Sequence, residues 1–194
     1  MTNFEIFDEK SAPLASRDAL HAIAKKAGFI PGIFGLFAAS HVAVHALVAL
    51  SAAFQVTAFT AREREVISMA TSAENQCAYC VAGHTAFAHS TGFSDDDLHA
   101  MREGEKLGDP REEALYRFAR EVVATRGDIS PSALKYFFAA GFNTRHVFDL
   151  MIGVAEKTMT NFASKIAQLK LDKQFAEFAW TPSNVSAHFP ANAA

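Results

Sequence analysis

Cys77 and Cys80 are the two cysteines of this 194-residue chain, and His84 follows four residues later. On a helix, at about 100° per residue, side chains at i, i+3 and i+7 project within about 60° of one another, so all three can face one ligand. Two thiols at this spacing near a helix start can close a strained, reducible disulfide, and the free N–H groups there favour a thiolate over a thiol. On that ground alone Cys77, nearer the helix start, is expected to have the lower pKa. The thiolate is the nucleophilic form. His84 is one turn beyond Cys80, within reach to accept or relay a proton, and a carboxylate from a neighbouring helix could hold its ring in the useful tautomer.

Two cysteines cannot form the disulfide framework of a secreted fold of this size. Buried structural cysteines are common, but a pair in register with a histidine, in a chain with no others, points to local chemistry. Zinc sites share the spacing, with Cys77, Cys80, His84 and His89 as a conceivable set. Tetrahedral zinc usually draws ligands from two separate elements, however, whereas the first three share one helix, so no metal is expected. His21, His41, His45, His99, His146 and His188 have no comparable partners and read as surface or satisfied core residues.

The elements that must hold these groups are helical throughout. No two alternating β-branched runs are joined by an Asn-Gly or Asp-Gly turn, so the fold class is all-α. Helices are expected over about 16–26, 33–40 and 42–55, with breaks at Gly28 and Pro31. Thr60 with Glu63 makes a capping box for a helix over 61–73, with Glu65 inside it, and Ser94 with Asp97 opens another. The cysteine helix runs from CAYC to about Thr91. Beyond Gly108–Pro110, helices follow over 111–125, from Ser130–Pro131 to Gly141, and over 144–169. AFTAREREVISMATSAENQC and GFNTRHVFDLMIGVAEKTMT match weakly at a spacing of 83 residues, which suggests a doubled helical unit. A single domain over 1–180 is expected, with its motif region at 42–93 and an extended or disordered tail at 181–194.

Half of the residues are apolar, 18 are Phe and 20% are charged, which gives a core with apolar residues to spare and suggests oligomerisation. A net charge of −3 lacks the basic excess that nucleic acid or an anionic membrane requires. No spanning segment and no signal-peptide layout is found, so a soluble cytoplasmic protein is expected.

The pattern Glu65, eleven residues, Cys77, two residues, Cys80, three residues, His84, in EREVISMATSAENQCAYCVAGH, resembles the alkylhydroperoxidase D-like branch of the carboxymuconolactone decarboxylase superfamily. FTAREREV is also similar, and MIGVAEKTMTNF and FAEFAWTP look like its peroxidase-related subgroup. The resemblance implies a helical fold assembled as a homotrimer or homohexamer. It implies a thiol peroxidase that needs no cofactor: Cys80 attacks hydrogen peroxide or an organic hydroperoxide and becomes a sulfenic acid, Cys77 closes the disulfide, and Glu65 with His84 relays the proton. Electrons would return from a dithiol reductant, thioredoxin-like or lipoyl-bearing. The best-known members have a His where this chain has Tyr79, so Tyr79 either replaces that group by its hydroxyl or leaves the relay shorter. Glu74 is expected at a helix end, and Phe54, Phe59 and Phe87 could line an apolar pocket or be plain core. The alternatives are a redox-sensing or ligand-binding oligomer that scarcely turns over, and a decarboxylase of the lactone type, which does not depend on a CxxC pair.

Overall fold

The computed structural model describes residues 4–182, so His188 and the tail expected beyond residue 182 lie outside the described residues. Among those described there is no strand, and the chain folds as α1 (Leu14–Ala27), α2 (Gly32–Phe37), α3 (His41–Gln55), α4 (Ala61–Glu74), α5 (Ala78–Ser90), α6 (Asp95–Glu103), α7 (Pro110–Thr125), α8 (Pro131–Ala139) and α9 (Thr144–Ala167). A 3₁₀ turn over Lys173–Phe178 follows, which the sequence reading did not foresee.

The helix starts follow from side-chain chemistry. The Thr60 hydroxyl accepts the Glu63 N–H while the Glu63 carboxylate accepts the Thr60 N–H, so two otherwise orphaned donors are satisfied at the head of α4. At α6 and α8 the cap is one-sided, the Ser94 and Ser130 hydroxyls accepting the Asp97 and Ala133 N–H groups, and Pro110 and Pro131 occupy first-turn positions where no N–H is needed. Asn143 with His146 forms a second capping box at α9.

Helix α4 lies at the centre, packed against α5, α6, α7 and α9. Val66, Ile67, Met69 and Ala70 are fully buried, as their periodicity leads one to expect. Beside them Phe137 stacks between Phe118 and Phe142 at ring-centroid distances of 4.2 and 4.4 Å. Each such side chain removed from water stabilises the fold by about 1.5–3 kcal/mol, and each stacked pair adds about 0.5–1.5. Arg62 forks onto Glu112 at 2.6 and 3.0 Å, Arg111 reaches Glu63 at 2.8 Å, and Arg120 holds Glu74, the last residue of α4, at 2.8 Å. These pairs fix α4 against α7.

Two features shape the site region. Between α4 and α5 the chain turns through Gln76, at a left-handed φ of 52°, so that α5 packs back on α4 with Cys77 at its head. Helices α4 and α9 begin at Ala61 and Thr144, the same 83-residue offset as the internal match, but α9 continues unbroken where α4 ends. In α9, Gly153 lets the helix approach α3 and α4 closely: a Cβ there would lie 2.5 Å from Phe54 Cζ.

Candidate active site

Cys77 is the N-cap residue of α5 and Cys80 its third helical residue, and their sulfurs lie 2.9 Å apart. Cys77 Sγ donates to Cys80 Sγ and accepts the Cys80 N–H at 3.4 Å. Cys80 Sγ also lies 3.7 Å from the Ser164 hydroxyl on α9. Donating its proton to Cys80, together with burial, drives the Cys77 pKa up. For Cys80, burial opposes ionisation, but the hydrogen bond from Cys77 and the neighbouring polar groups of Asn161 and Ser164 outweigh it and lower the pKa to about 6. The expectation that Cys77 would be the more acidic thiol is therefore reversed. Proximity to the helix start is outweighed by which sulfur receives the donors.

His84 and Glu65 meet as a pair: His84 Nδ1 lies 2.8 Å from Glu65 Oε2. The ring does not hydrogen-bond to either sulfur. Its other nitrogen, Nε2, is 3.1 Å from Lys157 Nζ, which in turn is 3.1 Å from Glu156 Oε1, and Glu156 accepts from the Ser51 hydroxyl at 2.6 Å. A continuous polar chain thus runs from Glu65 through His84, Lys157 and Glu156 to Ser51. Lys157, Asn161 and Ser164 were not found from the sequence. They share one buried face of α9, and their spacing of four and three was the available signal.

Tyr79 is not part of this chain. Its hydroxyl donates to Asp172 at 2.6 Å and accepts the Ile33 N–H at 3.2 Å, while Asp172 also takes the Gly32 N–H at 2.9 Å. Burial and the Asp172 carboxylate hold its pKa well above the usual phenol value. Tyr79 thus clasps the head of α2 to the segment after α9.

A cavity of about 580 Å³ reaches this region. Cys80, His84, Glu65 and Lys157 line it, whereas Cys77, 1% exposed, lies behind Cys80 and does not. Its apolar wall includes Phe34, Phe54, Phe87 and Phe175. Of the three Phe residues singled out in sequence, Phe54 and Phe87 are lining and Phe59 is core, packed against Phe142 and His146. Gly83 admits Phe175, since a Cβ there would sit 3.3 Å from that ring. Among the described residues no group of three or more His, Cys, Asp or Glu side chains is arranged to hold a metal, and His89 packs instead on Phe178.

Residues 39–121 match the carboxymuconolactone decarboxylase family. The resemblance seen in the sequence is borne out over that family segment, which contains α4, the CxxC and His84. The fold is that of the alkylhydroperoxidase core of an uncharacterised peroxidase-related protein from Ralstonia eutropha JMP134, at 22% identity and a TM-score of 0.78, covering 90% of this chain and 96% of that one. A peroxidase-related protein from Silicibacter sp. TM1040 is similar at 18% identity and a TM-score of 0.75, with 90% and 95% covered. The debrominase Bmp8 shares the fold at 13% identity and a TM-score of 0.78, with 92% and 96% covered. No curated protein matches the chain. No helix of the described residues is long and apolar enough to cross a membrane.

Proposed function

We propose that this protein is a CxxC-dependent thiol peroxidase in which Cys80 is the attacking thiolate, Cys77 the resolving thiol, and Glu65 with His84 the proton-handling pair. The observation that carries the reading is that the cavity opens onto Cys80 while Cys77 donates to it from behind. The two sulfurs are then oxidised to a disulfide as the hydroperoxide is reduced to alcohol and water. An apolar cavity of about 580 Å³ favours an organic hydroperoxide over hydrogen peroxide. The burial of both thiols favours a dithiol reductant that reaches in on a slender arm over one that must press a protein face against the sulfurs. The exposed apolar face of α9, with Phe148, Phe162 and Ile166, supports a homo-oligomer.

The test is a peroxide-consumption assay with a panel of dithiol reductants, run beside a metal analysis and thiol labelling. Turnover with loss of both thiols, abolished in Cys80→Ser, is expected. In Cys77→Ser one attack remains and a sulfenic acid accumulates on Cys80, visible by mass spectrometry. A sulfenic acid on Cys77 in the Cys80→Ser protein would reverse the roles, and its absence from both variants would favour a redox-sensing role. The size of the cavity also suits a ring, so a second reading is reductive dehalogenation of a halogenated aromatic. Including a bromopyrrole in the panel separates the two.

A further inference from the structure

An alkoxide leaving from an O–O bond needs a proton, and His84 as placed is poorly able to give one. Both ring nitrogens are engaged, Nδ1 with Glu65 at 2.8 Å and Nε2 with Lys157 at 3.1 Å. An ammonium cannot donate to an imidazolium nitrogen that already bears hydrogen, so one proton serves the Nε2 to Nζ contact, resting on either partner. Lys157 is 8% exposed, lies between His84 and the Glu156 carboxylate, and lines the same cavity as Cys80. Other charged or titratable groups lining that cavity are Lys26 on α1, Arg64 and Glu65 on α4, and Tyr79, whose proton is committed to Asp172. Arg64 donates from its guanidinium to the Phe59 carbonyl at 2.5 Å. A buried ammonium held between a histidine and a carboxylate at the wall of a nucleophile's cavity has more than a packing role to offer.

We infer that Lys157 is a further catalytic residue, the acid that protonates the oxygen leaving from the O–O bond, with His84 and Glu65 behind it as the group that steadies the exchanged proton. The inference rests on the peroxidase reading. Cys80 as thiolate attacks the terminal oxygen of ROOH: the S–O bond forms, the O–O bond breaks, Cys80 becomes a sulfenic acid, and RO⁻ takes a proton from Lys157 to leave as ROH. Cys77 then attacks the Cys80 sulfur. The hydroxide expelled combines with the Cys77 proton as water, and the disulfide closes. A dithiol reductant returns two electrons and two protons; one proton stays on Cys77, and the other passes from Cys80 to Lys157, restoring thiolate and ammonium.

The test uses leaving-group chemistry. Pre-reduced protein is mixed with tert-butyl hydroperoxide, whose alkoxide must be protonated, or with peracetic acid, whose acetate leaves without a proton, and loss of free thiols is followed by stopped flow. Lys157→Met is expected to slow the first reaction about 10²- to 10⁴-fold, the usual range for losing a general acid, and the second less than about tenfold. The double variant Glu156→Gln with Lys157→Met removes both buried charges together and is expected to show the same selectivity if the single variant folds poorly. Equal slowing of both peroxides, or of neither, overturns the inference while leaving the peroxidase reading intact. A wild-type protein that reacts with neither peroxide overturns the peroxidase reading itself, and this inference with it.

Discussion

Replacing Tyr79 by Phe separates a structural clasp from a proton relay. The ring stays, with its edge-on contact to Phe175, and only the hydroxyl is lost. That hydroxyl makes one bond to a carboxylate, Asp172 at 2.6 Å, worth about 1.5–3 kcal/mol. It also accepts the Ile33 N–H, in the first turn of α2, which would be left without this partner at a cost of about 1–3 kcal/mol. Asp172 keeps the Gly32 N–H, so the losses do not add in full, and about 2–4 kcal/mol is the expected total. For a chain of this size that lowers Tm by roughly 4–16 °C. Thermal unfolding followed by circular dichroism measures it, and thiol oxidation by peroxide is measured alongside, below the transition. The rate is expected to change less than about threefold. An unchanged Tm with a rate that falls tenfold or more would refute the reasoning and return Tyr79 to the relay.

Alkylation of Cys80 by iodoacetamide should rise as pH passes upward through about 6 and then level, because the lowered pKa puts the thiolate in place above that value. Cys77→Ala removes the S–H donor and should move the rise toward the ordinary thiol value of about 8.5; a wild-type profile that rises only there would contradict the assigned acidity. Gly153→Ala places a Cβ 2.5 Å from Phe54 Cζ and 3.0 Å from Ile67 Cγ2, so it should cost about 1–3 kcal/mol and, by pushing Phe54 into the cavity, raise KM for bulky hydroperoxides. Unaltered melting and KM would count against the close approach. Wild-type protein should scatter light as a trimer or hexamer, and Phe162→Glu with Ile166→Glu should dissociate it; a wild-type monomer at micromolar concentration removes that claim.

Local chemistry made much of the helical frame legible. Thr60 with Glu63, Ser94 with Asp97 and Ser130–Pro131 signal helix starts within a few residues of sequence, and α4, α6 and α8 begin where they indicate. The spacing of Glu65, Cys77, Cys80 and His84 was likewise readable, and the structure brings Glu65 to His84 and Cys77 to Cys80. What was missed comes from far along the chain. Asp172 meets Tyr79 across 93 residues and Lys157 meets His84 across 73, contacts that no local pattern encodes. Helix α9 is also deceptive, because its C-terminal half is turned inside out. Glu156, Lys157, Thr160, Asn161 and Ser164 are buried while Phe162 and Ile166 are exposed, so the usual rule of apolar inside assigns its faces the wrong way round. The ordering of thiol acidity failed for a related reason: helix position was visible in sequence, but the donors from α9 were not.

The burial of Cys77 behind Cys80 has a kinetic consequence. In the proposed cycle, oxidant and reductant use one cavity at different times, and neither can leave a molecule parked there while the other reacts. The expected pattern is double-displacement, with parallel lines in reciprocal plots. Each co-substrate at high concentration should inhibit by occupying the enzyme form meant for the other. A ligand filling the cavity would compete with both, so the balance of the two concentrations, rather than either alone, would set the steady flux.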